Sequence, residues 1–215
     1  MGNENNDYIE YFAKFHLEFL YRSHNLSFKK SESPDFLSKR NKIGLEVTRA
    51  CIQEWKQRDD IAEKYFNQGM SFEDIKTRVE LDCKHGFDGE LYDIDGIAAY
   101  SPVKGMYDTA IHVENIIESI ENKTEKLSKY EKCNEYWLYV WNFYLLVDEE
   151  MICSVNEHFA QMKQGLQFSR IYIRIDDKLY LLKKNKPFQI YKTNPQTYNY
   201  LRRQALLAVE QQTKK

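Results

Sequence analysis

Residues 34–50 read PDFLSKRNKIGLEVTRA, and the pairing of this stretch decides the fold. An aspartate follows a proline, a basic turn interrupts the chain, and a glutamate returns inside an otherwise apolar run. Acidic residues are poor strand formers and are costly to bury without a partner. If Asp35–Ser38 pairs with Ile43–Glu46 across a four-residue loop, Lys39 to Lys42, then Asp35 lies opposite Glu46 and Phe36 opposite Leu45. Opposed residues share a face, with Cβ atoms roughly 4.5–5.5 Å apart. Alternation then puts Glu46 and Thr48 on one face and Leu45 and Val47 on the other. Two facing carboxylates repel unless a cation sits between them or one is protonated. Hard oxygen ligands suit Mg²⁺ or Mn²⁺. The plain alternative is an edge hairpin with its polar face in water, since a slip of one residue would separate the two acids.

The rest of the chain gives that hairpin a setting. Its 215 residues hold one domain, or a core with a large insertion. With 42% hydrophobic residues it can bury a real core. A net charge of −2 gives no global field to gather nucleic acid, so any phosphate contact must come from a local patch. The four cysteines stand apart with no CxxC, and the histidines lack zinc-ligand spacing. No signal peptide or apolar run of about 18 residues is visible, so no membrane contact and a reducing, cytoplasmic setting are expected.

Residues 7–22 place Ile9, Phe12, Ala13, His16, Phe19 and Leu20 on one helical face. LSFKKSE (26–32) reads as a short extended lead into the hairpin. Two charged helices are expected between Ala50 and Arg78. Residues 82–108 read as loop with at most a short strand, and DGELYDIDG fails the EF-hand pattern because Asp93 stands where glycine is required. The spacing predicts a helix over 113–131, striped by Val113, Ile116, Ile117, Ile120 and Leu127. EYWLYVWNFYLLV (135–147) reads as a central strand buried on both sides. A helix near 154–164, a hairpin over 170–184 and a last helix over 197–211 complete the chain. This order makes an α/β domain around a small mixed sheet. The core is expected at about 8–50 and 111–147, a helical insertion at about 51–110, and a helix–hairpin–helix extension at about 148–215.

SESPDF followed by IGLEVT resembles the metal-binding hairpin of the PD-(D/E)XK nuclease superfamily, the restriction endonuclease-like proteins. Pro34-Asp35 matches its PD, and Glu46-Val47-Thr48 occupies its (D/E)-x-K. The order of elements resembles that superfamily's αβββαβ core. The resemblance implies that Asp35, Glu46 and the Val47 main-chain carbonyl ligate Mg²⁺ or Mn²⁺, and that the chain is a Mg²⁺-dependent nuclease acting on DNA or RNA. Thr48 departs from the pattern, because the superfamily usually has there the lysine that orients the attacking water. A replacement lysine must come from elsewhere, or the fold is an inactive module that binds nucleic acid or protein.

The long helix offers two lysines. At about 100° per residue, Lys123 falls near the middle of the apolar stripe, with Lys126 and Tyr130 at its edge. Lys126 to Tyr130 also resembles a Q-x-x-x-Y motif of some superfamily branches. Lys126 is expected to reach the cleft beside Tyr130, whereas Lys123 must bend out or be held by the carboxylates themselves. Glu32 joins the site or caps the hairpin, with the cap favoured. Glu10 and Glu18 point away from the first helix's stripe, and neither is assigned. KKNKPF (183–188) and Arg202-Arg203 read as solvated surface. No phosphate-binding glycine loop or nucleophile elbow occurs. The sequence leaves DNA versus RNA and an oligomer open.

Overall fold

The computed structural model describes residues 2–50, 61, 64–66, 69–82, 90–95, 97–101, 109–142, 147–161 and 167–213. Most of the first helix expected between Ala50 and Arg78 lies outside the described residues. The chain divides into two compact units, one of Met1–Ala50 with Val113–Lys215 and one of Cys51–His112.

The larger unit is mixed α/β. Helix α1 (Gly2–Leu20) leads into strands β1 (Lys29–Lys30), β2 (Phe36–Ser38) and β3 (Ile43–Ala50). After the smaller unit come helix α3 (Thr109–Thr124), strand β6 (Glu135–Asn142), helix α4 (Glu149–Gln161), strands β7 (Arg170–Ile175), β8 (Lys178–Lys183) and β9 (Lys186–Lys192), and helix α5 (Pro195–Thr213). The strands form one seven-stranded sheet in the order β1-β2-β3-β6-β7-β8-β9. β3, β6 and β7 are parallel and every other pair is antiparallel.

Alternation sorts the sheet's side chains into two cores. Leu45, Val47, Trp137, Tyr139 and Tyr172 face Phe12, Ala13 and Leu17 of α1 and Leu201 and Ala205 of α5. Leu138, Val140, Ile171 and Ile173 face Ile116 and Ile120 of α3 and Ile152, Val155 and Phe159 of α4. The central strands are covered on both faces, which is why EYWLYVW is apolar without interruption. Asp148 caps α4 by accepting the Met151 N–H at 3.0 Å, and Asn194 caps α5 through the Thr197 N–H at 2.8 Å.

Several expectations are corrected. The sheet is not small, because the C-terminal hairpin extends it and is followed by a further strand, β9. That strand is mostly exposed and begins Lys186-Pro187, so it carries no alternation to read. The long helix does not run to residue 131: it ends at Thr124, and a 3₁₀ turn over Leu127–Lys129 follows. Phe19 is not on the buried face of α1 but is 37% exposed, and Leu17 takes its place in the core.

In the smaller unit, helix α2 (Phe72–Asp82) is capped by Ser71, whose Oγ accepts the Asp74 N–H. Its core contains Ile61, Tyr65, Phe66, Ile75 and Val79. Residues 82–108, read as loop with at most a short strand, include an antiparallel hairpin of two strands, β4 (Glu90–Ile94) and β5 (Ile97–Ser101). Its first strand is almost wholly exposed, so no half-buried pattern marks it, and its turn relies on Asp95 at φ 53°.

Gly44 fixes the approach of the hairpin to β6. A Cβ there would lie 2.8 Å from the Pro34 ring and 3.0 Å from the Tyr136 ring. Tyr136 cannot swing away easily, since its hydroxyl donates to the Glu131 carbonyl at 2.8 Å and accepts the Cys133 N–H at 3.1 Å. Gly44→Ala should therefore cost about 1–3 kcal/mol in denaturant unfolding, with Asp35 displaced along with Pro34. Wild-type stability would show that the ring of Pro34 moves freely.

Candidate functional site

The hairpin pairs in the expected register, with Phe36 opposite Leu45, Leu37 opposite Gly44 and Ser38 opposite Ile43. Asp35, one residue before β2, therefore comes level with Glu46. Its Oδ2 accepts the Val47 N–H at 2.8 Å, which anchors the carboxylate at the strand. Glu46 is buried in the middle of β3, on the face toward α3, with its side chain 7% exposed.

Lys123 supplies the partner. From the last turn of α3 its ammonium donates to Glu46 Oε1. Lys126 is placed differently from Lys123. It lies beyond the end of α3, exposed, and its ammonium makes no hydrogen bond or ion pair among the described residues. The physical reason is the early end of the helix. Three residues past Lys123 the chain has already turned, and the stripe extrapolated from an ideal helix no longer applies.

Tyr130 closes the site from the same segment. Its hydroxyl is buried and lacks a well-formed hydrogen bond. Burial and the adjoining Glu46 and Asp35 charges raise its pKa, keeping the phenol neutral and able to donate. The Glu131 N–H then donates to the Ser33 carbonyl at 3.0 Å, tying this segment to the strand lead that carries Pro34. Thr48 follows on the same strand and is half-buried, whereas Glu32 is exposed.

Two residues that the sequence did not assign also belong to this neighbourhood. Lys30 on β1 pairs with Glu10 of α1, lies 5.0 Å above the Phe36 ring, and exerts its charge on Asp35. Glu10 thus touches the site through Lys30, while Glu18 accepts the Phe28 N–H at 2.6 Å and serves the fold. Lys30 follows Lys29 in a segment too short for a pattern to single it out.

Asp35 carries the electrostatic tension. Burial and then the Glu46 charge push its pKa up to about 6, against the opposing pull of the Val47 N–H, Lys123 and Lys30. Two hard carboxylates short of positive charge fit a divalent cation. Among the described residues, no group of three or more His, Cys, Asp and Glu side chains gathers at one point to hold a metal. A cation here must therefore complete its shell with main-chain oxygen and water. No helix among the described residues is long and apolar enough to cross a membrane. Comparison with known proteins returns no matching family model, curated protein or solved structure.

The raised pKa has a stability signature. The folded protein holds the Asp35 proton more tightly than the unfolded chain, whose ordinary value is 3.8. The resulting stabilisation is complete below about pH 4 and is lost as pH rises through about 6. Asp35→Asn, which keeps an acceptor for the Val47 N–H, should be more stable than wild type at pH 8 by about 2–3 kcal/mol. The difference should vanish at pH 4, as read by urea midpoints without divalent metal. Equal midpoints at both pH values would remove the claimed repulsion.

Proposed function

We propose that the chain is a metal-dependent phosphodiesterase of restriction endonuclease-like fold, hydrolysing DNA or RNA. The observation carrying this reading is the buried Asp35–Glu46 pair with the Lys123 ammonium against it. The chain order of helix, three strands, then helix and strand supports the same assignment. Asp35, Glu46 and the Val47 main-chain carbonyl would hold Mg²⁺ or Mn²⁺, an all-oxygen donor set suited to those ions. When bound, the cation supplies charge stabilisation and an activated water for in-line attack on phosphorus.

Lys123 provides the positive charge that Thr48 cannot. Its ammonium sits at the carboxylates, where it can neutralise a phosphate oxygen and orient the nucleophile. Tyr130, held neutral, contributes a hydrogen-bond donor beside Glu46. Asp35 must be ionised to act as a ligand, so metal affinity, and with it activity at limiting metal, should rise as pH increases through about 6.

A second reading, an inactive nuclease-like module for binding nucleic acid or protein, also draws on the ion pair. Lys123 already gives Glu46 a counter-ion, so the fold does not depend on metal. A metal-titrated melt separates the two. On the catalytic reading Mn²⁺ stabilises the protein, by ~2.7 kcal/mol at a hundredfold excess over Kd. Asp35→Ala and Glu46→Ala should each abolish that shift together with cleavage of labelled DNA and RNA. Lys123→Met should cut turnover about a hundredfold, and Lys126→Ala should leave it unchanged. A melt unmoved by Mn²⁺ assigns the chain to the binding module, and full cleavage by the Asp35→Ala/Glu46→Ala double variant would sink the metal assignment.

A further inference from the structure

The sheet's two ends carry opposite charge. Ile43 opens β3 opposite Glu135, the first residue of β6, and Trp137 pairs with Arg170, the first residue of β7. Ile171 pairs with Leu182, and Lys183 with Lys186 at the β8–β9 turn. The β2–β3 turn, the starts of β6 and β7, and the β8–β9 turn therefore share one end.

Lys39, Arg40 and Lys42 project from the first of these turns, and all three are exposed. Lys132 precedes β6, and the Asn134 N–H donates to the Lys42 carbonyl at 2.8 Å, so the two segments adjoin. Farther along, Arg170 stacks 4.5 Å over the Trp137 ring. Lys183, Lys184 and Lys186 finish the row. Burial, Arg170 and Lys186 together lower the Lys183 pKa, which reports how closely these cations crowd.

Glu131 and Glu135 stand among these strand ends, and Glu18, beside the Phe28 N–H, is paired with Lys14 at 2.8 Å. Glu135 is already engaged, by Arg170 at 3.8 Å and by the Trp137 Nε1–H at 2.8 Å. The turn lysines, Arg40 and Lys132 make no ion pair among the described residues. The opposite end holds Asp148, Glu149, Glu150, Asp176 and Asp177, and its Lys178 is paired with Glu149 at 3.7 Å. Both aspartates of the β7–β8 turn border a cavity of about 200 Å³ there. A polyanion is repelled by that end.

Resting on the reading of the carboxylate pair as a phosphodiester site, we infer that the basic end of the sheet is a track for the sugar–phosphate backbone of a nucleic acid. From the β2–β3 turn to the β8–β9 turn it crosses four strand spacings, about 19 Å, the axial rise of about six phosphates on one duplex strand. The segment from Lys123 through Tyr130 to Glu131, bonded to Ser33, joins this end to the carboxylates. The track thus leads a backbone toward Asp35 and Glu46. Its cations are spread over successive strand ends and turns, which suits a string of phosphates better than an apolar partner.

The test is fluorescence anisotropy with labelled DNA and RNA strands and duplexes of about 20 nucleotides in EDTA, over about 50–200 mM salt. Lys184→Gln/Lys186→Gln, remote from the carboxylates, should weaken binding about tenfold and reduce the log–log salt slope by about 2. The charge-matched Lys178→Gln/Lys192→Gln control at the other end should bind as wild type. Equal losses in both pairs, or none in the first, would overturn the track. So would binding to phosphatidylserine vesicles that depends on Lys184 and Lys186 while oligonucleotide binding does not. Rim-dependent binding without metal-dependent cleavage would keep the track and remove the nuclease. Cleavage that is indifferent to the rim pair would do the reverse.

Discussion

A glutamate buried in the middle of a strand needs a cation, and the pairing of Glu46 with Lys123 organises much of what surrounds it. Glu46 sits on β3 level with Leu138 of β6 and one residue past the last β2 pair, Phe36 with Leu45, and its side chain points to the face covered by α3. Relief can come only from the face of the sheet, so the partner must arrive on the covering helix. Ile116 and Ile120 seat α3 in the core and bring the last turn of the helix over the carboxylate. The helix then ends, and a short 3₁₀ turn returns the chain to Ser33. Tyr130 is buried in that return, beside the same charges.

The ion pair extends into a chain of charges across the layers. Glu10 on α1 meets Lys30 on β1; Lys30 acts on Asp35; Asp35 faces Glu46; Glu46 meets Lys123 on α3. Signs alternate along this series except at one step, Asp35 to Glu46. Like charges at close range in a half-buried place must take up a proton or a cation. The upward shift of Asp35 is the proton solution. A divalent cation is the alternative, and it would relieve the repulsion that Lys123 and Lys30 offset only in part.

The hairpin was legible because its alternation is strict. Phe36 and Leu45 belong to one core, which forces Asp35 and Glu46 to the other face. The central strand was legible for the same kind of reason, a run too apolar for any exposed element. Less legible was whatever depended on where a helix stops. Lys123 and Lys126 differ by three residues, a spacing that keeps both on one helical face only while the helix continues. Its end at Thr124 depends on tertiary contact, so the sequence could name both lysines, and of the two arrangements it left open for Lys123 the one held by a carboxylate is found. Strands β4 and β9 escaped because exposed hairpins carry no burial period. Lys30 escaped because its partners, Glu10 and Asp35, are adjacent only after the sheet and α1 have assembled.

The other face of the sheet shows buried polarity held chiefly by packing against aromatic rings. Arg174 lies 3.9 Å over the Trp141 ring and 5.3 Å from the rings of Phe12 and Tyr198, and it donates to the Tyr198 hydroxyl at 2.9 Å. His16 shares hydrogen bonds with Tyr139 and Thr193, both at 2.9 Å, and burial with the Arg174 charge pushes its pKa down to about 4. At neutral pH that imidazole is uncharged and both its nitrogens are occupied. One cation is thus met by aromatic faces, although its Nε has no hydrogen-bond partner, and one base is kept neutral. The α3 face instead sets two acids together and supplies a single ammonium in direct contact. Both faces bury polar groups, but only the second leaves an electrostatic demand that an external ion can meet, which is why the site is sought there.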